Sequence, residues 1–209
     1  MNRIFLKGRL MKPLELDHVV GDEKVYKGML SIPRLSGELD TLPFLVSERK
    51  LGSTYPNEPG ASVSFEGQLR THNALNNRLL IYGFVQRPAS TENPNQVQLT
   101  GVVCKAPTHR MTPLGRVITD LMLAVPRAYD KRDYIPCVTW GDTARFASHL
   151  KVGDRVTLLG RFQSRDYQKQ LSDGAYEQRT ALEVSVQQLR LVYNDTNSMQ
   201  QDLRRVAHE

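Results

Sequence analysis

From Val97 to Val103 the side chains alternate, with Val97, Leu99, Gly101 and Val103 on one side and Gln98 and Thr100 on the other. A period of two predicts a half-buried strand. Thr112-Pro113-Leu114-Gly115 then reads as a turn. It is followed by a largely apolar run from Val117 to Val125 and a strand-like run from Tyr134 to Trp140. Between Thr143 and Leu150 the period changes. Ala144, Ala147 and Leu150 share one helical face, and Lys151-Val152-Gly153 supplies a stop. Strand character returns from Val156 to Phe162. Residues 163–187 read as a long hairpin turning at Ser172-Asp173-Gly174, where glycine tolerates a positive φ, with an alternating return strand from Ala181 to Val186.

The same plan occurs earlier in the chain. A displacement of 93 residues superposes Asn2 on Asn95, Leu6 on Leu99, Gly8 on Gly101 and Lys12 on Lys105. It also superposes Met29-Leu30 on Met122-Leu123, Pro33-Arg34 on Pro126-Arg127, Asp40 on Asp133, Pro43 on Pro136, Gly60 on Gly153, Val63 on Val156 and Gly67 on Gly160. These thirteen identities need no gap over residues 2–72, which marks a duplication. Copy one departs in two places. Residues Ser47 to Gly60 contain Gly52, Pro56 and Pro59, so no regular helix is expected there. Its last hairpin, Arg70 to Ile81, is short and turns around Asn76-Asn77. Three strands, a short helix and two strands is the element order of a five-stranded Greek-key barrel of the OB type. The expected architecture is therefore all-β, with two tandem OB barrels and a short helix in the second. The N-terminal barrel is expected over 1–88, a proline-flanked polar linker over 89–94, the C-terminal barrel over 95–193 and a polar tail over 194–209. Gly8, Gly67, Gly101 and Gly160 are expected at sharp bends of the barrels.

Composition narrows the function classes. Hydrophobic residues make up 40% and charged residues 24%, ordinary for a soluble chain that buries its own core. Two cysteines, Cys104 and Cys137, lack metal-binding spacing and fit a reduced, intracellular setting. No apolar run approaches the length of a membrane span, and Met1-Asn2-Arg3-Ile4-Phe5 enters strand sequence without a signal-peptide segment, so a cytoplasmic, nucleoid-associated location is expected. The five histidines are scattered, and no phosphate-binding loop, nucleophile elbow or dinucleotide fingerprint occurs. Neither an enzyme, a metal nor a cofactor is expected. The net charge of +6 favours a polyanionic partner.

Residues 95–192 resemble the bacterial single-stranded DNA-binding proteins. The similarity is carried by the opening Asn95 to Gly101, the Pro113-Leu114-Gly115 turn, Leu123-Ala124-Val125 and the run Asp133-Tyr134-Ile135-Pro136-Cys137-Val138-Thr139-Trp140-Gly141. Val152 to Val156 and Gly160 to Tyr167 complete it in collinear order. The resemblance implies binding of single-stranded DNA without sequence preference, in replication, recombination or repair, and a homodimer with four barrels. It places base-stacking rings at Tyr129, Tyr134, Trp140 and Tyr167. Each stacked base contributes roughly 1–3 kcal/mol whatever its identity, because every base has a π-face. Arg127, Lys131, Arg132, Arg161, Arg165 and Lys169 interleave with these rings and, with Lys105 and Arg34, are expected to neutralise phosphate. Tyr176 on the return arm of the hairpin is a further candidate. At the 93-residue displacement the four rings correspond to Ser36, Thr41, Ser47 and Ala74, so copy one is expected to bind weakly, to bind along another path, or to serve assembly. The family's acidic C-terminal tail is absent from Gln201 to Glu209, which puts tail-mediated recruitment of replication or recombination proteins in doubt.

Two alternatives stand beside this reading. Val103 to Pro107 also resembles the opening of the primosomal replication protein N family, for which protein contacts would matter more than DNA coverage. RNA is the other, since OB platforms bind either kind of strand.

Overall fold

Alternate positions turn inward along most strands, and the inward set is apolar. The computed structural model describes residues 1–51, 56–74, 78–112, 114–171 and 174–192. Copy one contributes β1 (Asn2–Leu10), β2 (Glu15–Val20), β3 (Glu23–Pro33), β4 (Leu39–Ser47), α1 (Glu48–Leu51), β5 (Ser62–Asn73) and β6 (Leu79–Pro88). Copy two contributes β7 (Asn95–Val103), β8 (Thr108–Met111), β9 (Val117–Pro126), β10 (Arg132–Trp140), α2 (Gly141–Ser148), β11 (Arg155–Gln170) and β12 (Tyr176–Leu191).

Each copy closes on itself in the same way. In copy one β1 pairs with β3 and β5, β3 with β4, β4 in parallel with β6, and β6 with β5. In copy two β7, β9, β10, β12 and β11 close the equivalent ring, with β10 and β12 parallel. These are two five-stranded OB barrels. Phe44 and Phe65 pack 5.4 Å apart inside the first, and Leu99, Leu123, Ile135 and Phe162 fill the second.

Three features differ from the sequence expectation. Each copy has an extra arm, β2 in the first and β8 in the second, folded back as a hairpin on β3 or β9. Every residue of both arms is exposed, so neither carries the alternation that marks a strand. Copy one also contains a helix after all, a single turn at α1 over Glu48–Leu51. The expected turn at Asn76-Asn77, the tail 194–209 and most of the Ser172-Asp173-Gly174 turn lie outside the described residues; Gly174 itself has φ +83.

The barrels are joined edge to edge. β1 pairs antiparallel with β7, with Asn2 opposite Leu99, Ile4 opposite Val97 and Leu6 opposite Asn95. Since Asn2, Ile4 and Leu6 are the 93-residue counterparts of Asn95, Val97 and Leu99, this register has a pseudo-two-fold axis through the Ile4/Val97 pair. The side chains repeat the symmetry. The Asn2 amide donates to Leu69 O (2.8 Å) and accepts from Leu69 N (2.9 Å). Asn95 does the same with Phe162, at 2.6 and 2.9 Å.

Candidate functional site

The exposed face of copy two is built on the β9–β10 hairpin. Arg127 N donates to Lys131 O (2.9 Å), closing a tight connection. Within it Tyr129 and Asp130 both adopt left-handed backbone, at φ 59° and 53°. That region is costly for a bulky side chain. Here it raises Tyr129 to the tip of the turn, 94% exposed. Along β10, Tyr134 and Trp140 are six residues apart and face outward, 46% and 37% exposed, while Ile135 and Cys137 point into the core. A strand rise of about 3.3 Å per residue separates the two rings by about 20 Å. Trp140 sits where β10 gives way to α2, and the next residue, Gly141, takes φ +56. Burial pushes the Cys137 thiol up, with Glu183 adding to the effect, so it behaves as an inert core group.

The β11–β12 hairpin supplies the rest. Tyr167 is half-buried opposite Arg179, and the Arg165 guanidinium lies 5.7 Å from its ring centroid. Tyr176, opposite Gln170 near the hairpin end, is exposed. Lys131, Arg132, Lys169 and Lys105 are exposed, and none has an ion pair among the described residues. Arg165 shares Glu183 at 3.4 Å and stays half-exposed.

Two of the expected phosphate contacts, Arg34 and Arg161, turn to a buried carboxylate at the seam, and a third, Arg127, stands exposed near another. Arg34 donates to Glu38 (2.7 Å), to Asp40 (2.7 Å) and to Ser164 O of copy two (2.6 Å), leaving its side chain 19% exposed. Arg161 approaches Asp40 to 3.6 Å, and Arg127 approaches Asp133 to 3.6 Å. Both carboxylates are buried, and a buried charge demands such partners. The two clusters are counterparts across the pseudo-two-fold. Asp40 accepts from Ser164 N (2.8 Å) and Asp133 from Thr71 N (2.8 Å). In return Thr41 N donates to Ser164 Oγ (2.8 Å) and Tyr134 N to Thr71 Oγ1 (2.9 Å). Each copy thus clasps the other beside its own outer face.

The sequence reading missed an aromatic pair in copy one. His72 and Tyr82 stand on neighbouring strands with ring centroids 5.7 Å apart, edge to face. They line an open groove of about 410 Å³ between the barrels, shared with Pro136 and Tyr167 of copy two. Burial raises the pKa of the Tyr82 hydroxyl, while Arg127 of copy two opposes that shift. The 93-residue displacement did not reveal these rings, because neither stands opposite one of the copy-two rings.

Comparison with known proteins gives consistent results. The Single-strand binding protein family matches residues 94–192. Single-stranded DNA-binding protein B of Bacillus subtilis is 33% identical over 89 residues, covering 39% of this chain and 79% of that protein. Single-stranded DNA-binding protein A of the same organism is 37% identical over 83 residues, covering 36% and 48%. The chain spans about half the length of the first curated relatives it matches. Among solved structures, the wild-type single-stranded DNA binding protein from Thermus aquaticus superposes with a TM-score of 0.72 at 20% identity, covering 93% of this chain and 94% of that one. That likeness extends the fold correspondence over both barrels.

Proposed function

Because the chain belongs to the Single-strand binding protein family, we propose that it binds single-stranded DNA without sequence preference, as a non-enzymatic partner in replication, recombination or repair inside the cell. The observation that carries this is the row of open rings, Tyr134 and Trp140 on β10 with Tyr129 at its tip, flanked by Lys131 and Arg132, which have no ion pair among the described residues. Rings held on strands present their faces without a large ordering cost on binding. Bases stack on Tyr129, Tyr134, Trp140 and Tyr167, with Tyr176 further along the hairpin. Lys131, Arg132, Lys169, Lys105 and Arg165 meet the phosphates. Arg34 and Arg161 hold the seam between the barrels and leave the ligand set, while Arg127, exposed beside Asp133 of its own copy, stays in it. No helix among the described residues is long and apolar enough to cross a membrane.

The test uses the single tryptophan. Titration with oligo-dT quenches Trp140 fluorescence, and the affinity falls as salt rises because bound phosphates release counterions. Trp140→Ala, followed by fluorescence anisotropy of a labelled strand, weakens binding by roughly 1–3 kcal/mol with the fold intact. An unquenched tryptophan sinks the reading. A homodimer with four barrels accompanies it, supported by the wholly exposed outer strands β2 and β8, whose free edges offer pairing. Sedimentation equilibrium is expected to give twice the 23.7 kDa chain mass, and a monomer would refute the dimer.

A further inference from the structure

Copy one lacks the four rings of copy two, yet it does not turn a bare surface to the seam. The outward side of β6 carries Leu80 and Tyr82, neither of them buried, while Ile81 and Gly83 face the core. Tyr82 stands opposite Arg70, the residue that reaches across to Asp133 (3.0 Å). His72 follows Thr71, whose hydroxyl accepts the backbone N–H of Tyr134 at 2.9 Å. The clasp therefore sets His72 directly beside the start of the copy-two face.

The groove lined by these two residues is continuous with that face. Pro136, two positions after Tyr134 on the same strand, and Tyr167, one of the stacking candidates, belong to its copy-two wall together with residues 179–183 of β12. Its lining is mostly apolar and aromatic and includes Lys27, Arg78 and Arg179, of which Lys27 stands 3.5 Å from Glu15 and Arg179 2.6 Å from Glu177. The two carboxylates there are engaged: Asp17 meets His18 at 2.7 Å, and Glu183 accepts from Gln163 at 2.9 Å. An apolar, ring-lined slot bordered by cations suits a nucleobase with its phosphates outside. A strand leaving Tyr134 toward copy one has this slot in its path.

We propose that the inter-barrel groove is a second base-binding subsite, in which His72 and Tyr82 receive a base of the strand already held on copy two. Copy one then belongs to the binding surface through its seam and not through the barrel face where its counterparts of the rings are Ser36, Thr41, Ser47 and Ala74. This inference rests on the single-strand reading, and its test separates the two.

The full-length protein is titrated with a long oligo-dT and with one too short to extend past the Tyr134–Trp140 face. Tyr82→Ala and His72→Ala are each expected to weaken the long strand about fivefold or more, the lower end of one lost stack, and to leave the short strand unchanged. Tyr82→Phe, which keeps the ring, retains wild-type affinity. Irradiation of an oligo-dT carrying 5-iodouracil is expected to cross-link to His72 or Tyr82, mapped by mass spectrometry. If Tyr82→Ala fails to fold, His72→Ala, on the exposed margin, and the cross-link decide. Wild-type affinity for the long strand in His72→Ala with no cross-link at the groove, while Trp140→Ala is weakened, overturns the subsite and spares the single-strand reading. Absence of quenching in the wild type overturns both.

Discussion

Around Asp133 two donors and a nearby cation converge on a carboxylate with no exposed surface: Arg70 at 3.0 Å, Thr71 N at 2.8 Å and the Arg127 guanidinium at 3.6 Å. Two of the three come from the other copy. Asp40 repeats the arrangement with Arg34, Ser164 N and Arg161. Removing one member of such a group leaves the others buried and unpaired, which is where the energy of these pairs is felt. Asp133→Ala is expected to cost about 2–3 kcal/mol, at or below the range for a broken buried pair, because Arg70 keeps some exposure to water. Chemical denaturation reads this directly, and a loss below about 0.5 kcal/mol, the level of an ordinary surface change, refutes the assignment. The sequence showed Arg34/Arg127 and Asp40/Asp133 as identities at the same displacement, and the arginines were expected on phosphate. An internal repeat shows that a position recurs. It does not show that the recurring residue faces its own twin copy.

Among the elements, the barrel strands were legible because their buried side is apolar and period-two. β7 and β12 appear where the alternation put them, β9 to β11 where apolar or strand-like runs did, and α2 where the period lengthened. The arms β2 and β8 were not legible, since every residue in them is exposed and nothing distinguishes Glu15–Val20 from loop. Two of the four barrel glycines stand at irregularities of their strands, and the physical cause is specific. Gly67 and Gly160 follow register shifts in β5 and β11, and a Cβ on either would fall on the carbonyl oxygen of Phe84 or Ser185 in the paired strand. The bulge lets each strand curl to close its barrel. The site was half legible. Tyr134 and Trp140 share a face by counting, but the exposure of Tyr129 depends on a left-handed turn that no periodicity announces. The His72–Tyr82 pair depends on contact between residues of separate strands, brought to the seam by the clasp.

At the scale of the whole molecule, duplication predicted two barrels but not their union. One sheet of twelve strands runs from β2 to β8 through the β1–β7 junction. The hydrophobic cluster likewise takes members from both copies. Edges that would otherwise be open satisfy each other within the chain, and the two clasps lock the junction on both sides of the pseudo-two-fold. Barrels coupled in this way are expected to melt together. Differential scanning calorimetry of the protein should show one transition, with the calorimetric and van't Hoff enthalpies in agreement. The double variant Asp40→Ala/Asp133→Ala removes the buried carboxylate of each clasp and leaves the strand pairing, the shared core and the Thr41–Ser164 and Tyr134–Thr71 hydrogen bonds. Its melting is expected to broaden or divide, because the barrels then differ in stability with less to couple them. Two resolved transitions in the wild type would show that the junction is a contact between independent domains. The seam groove would then lose the fixed geometry that lets both copies share one strand.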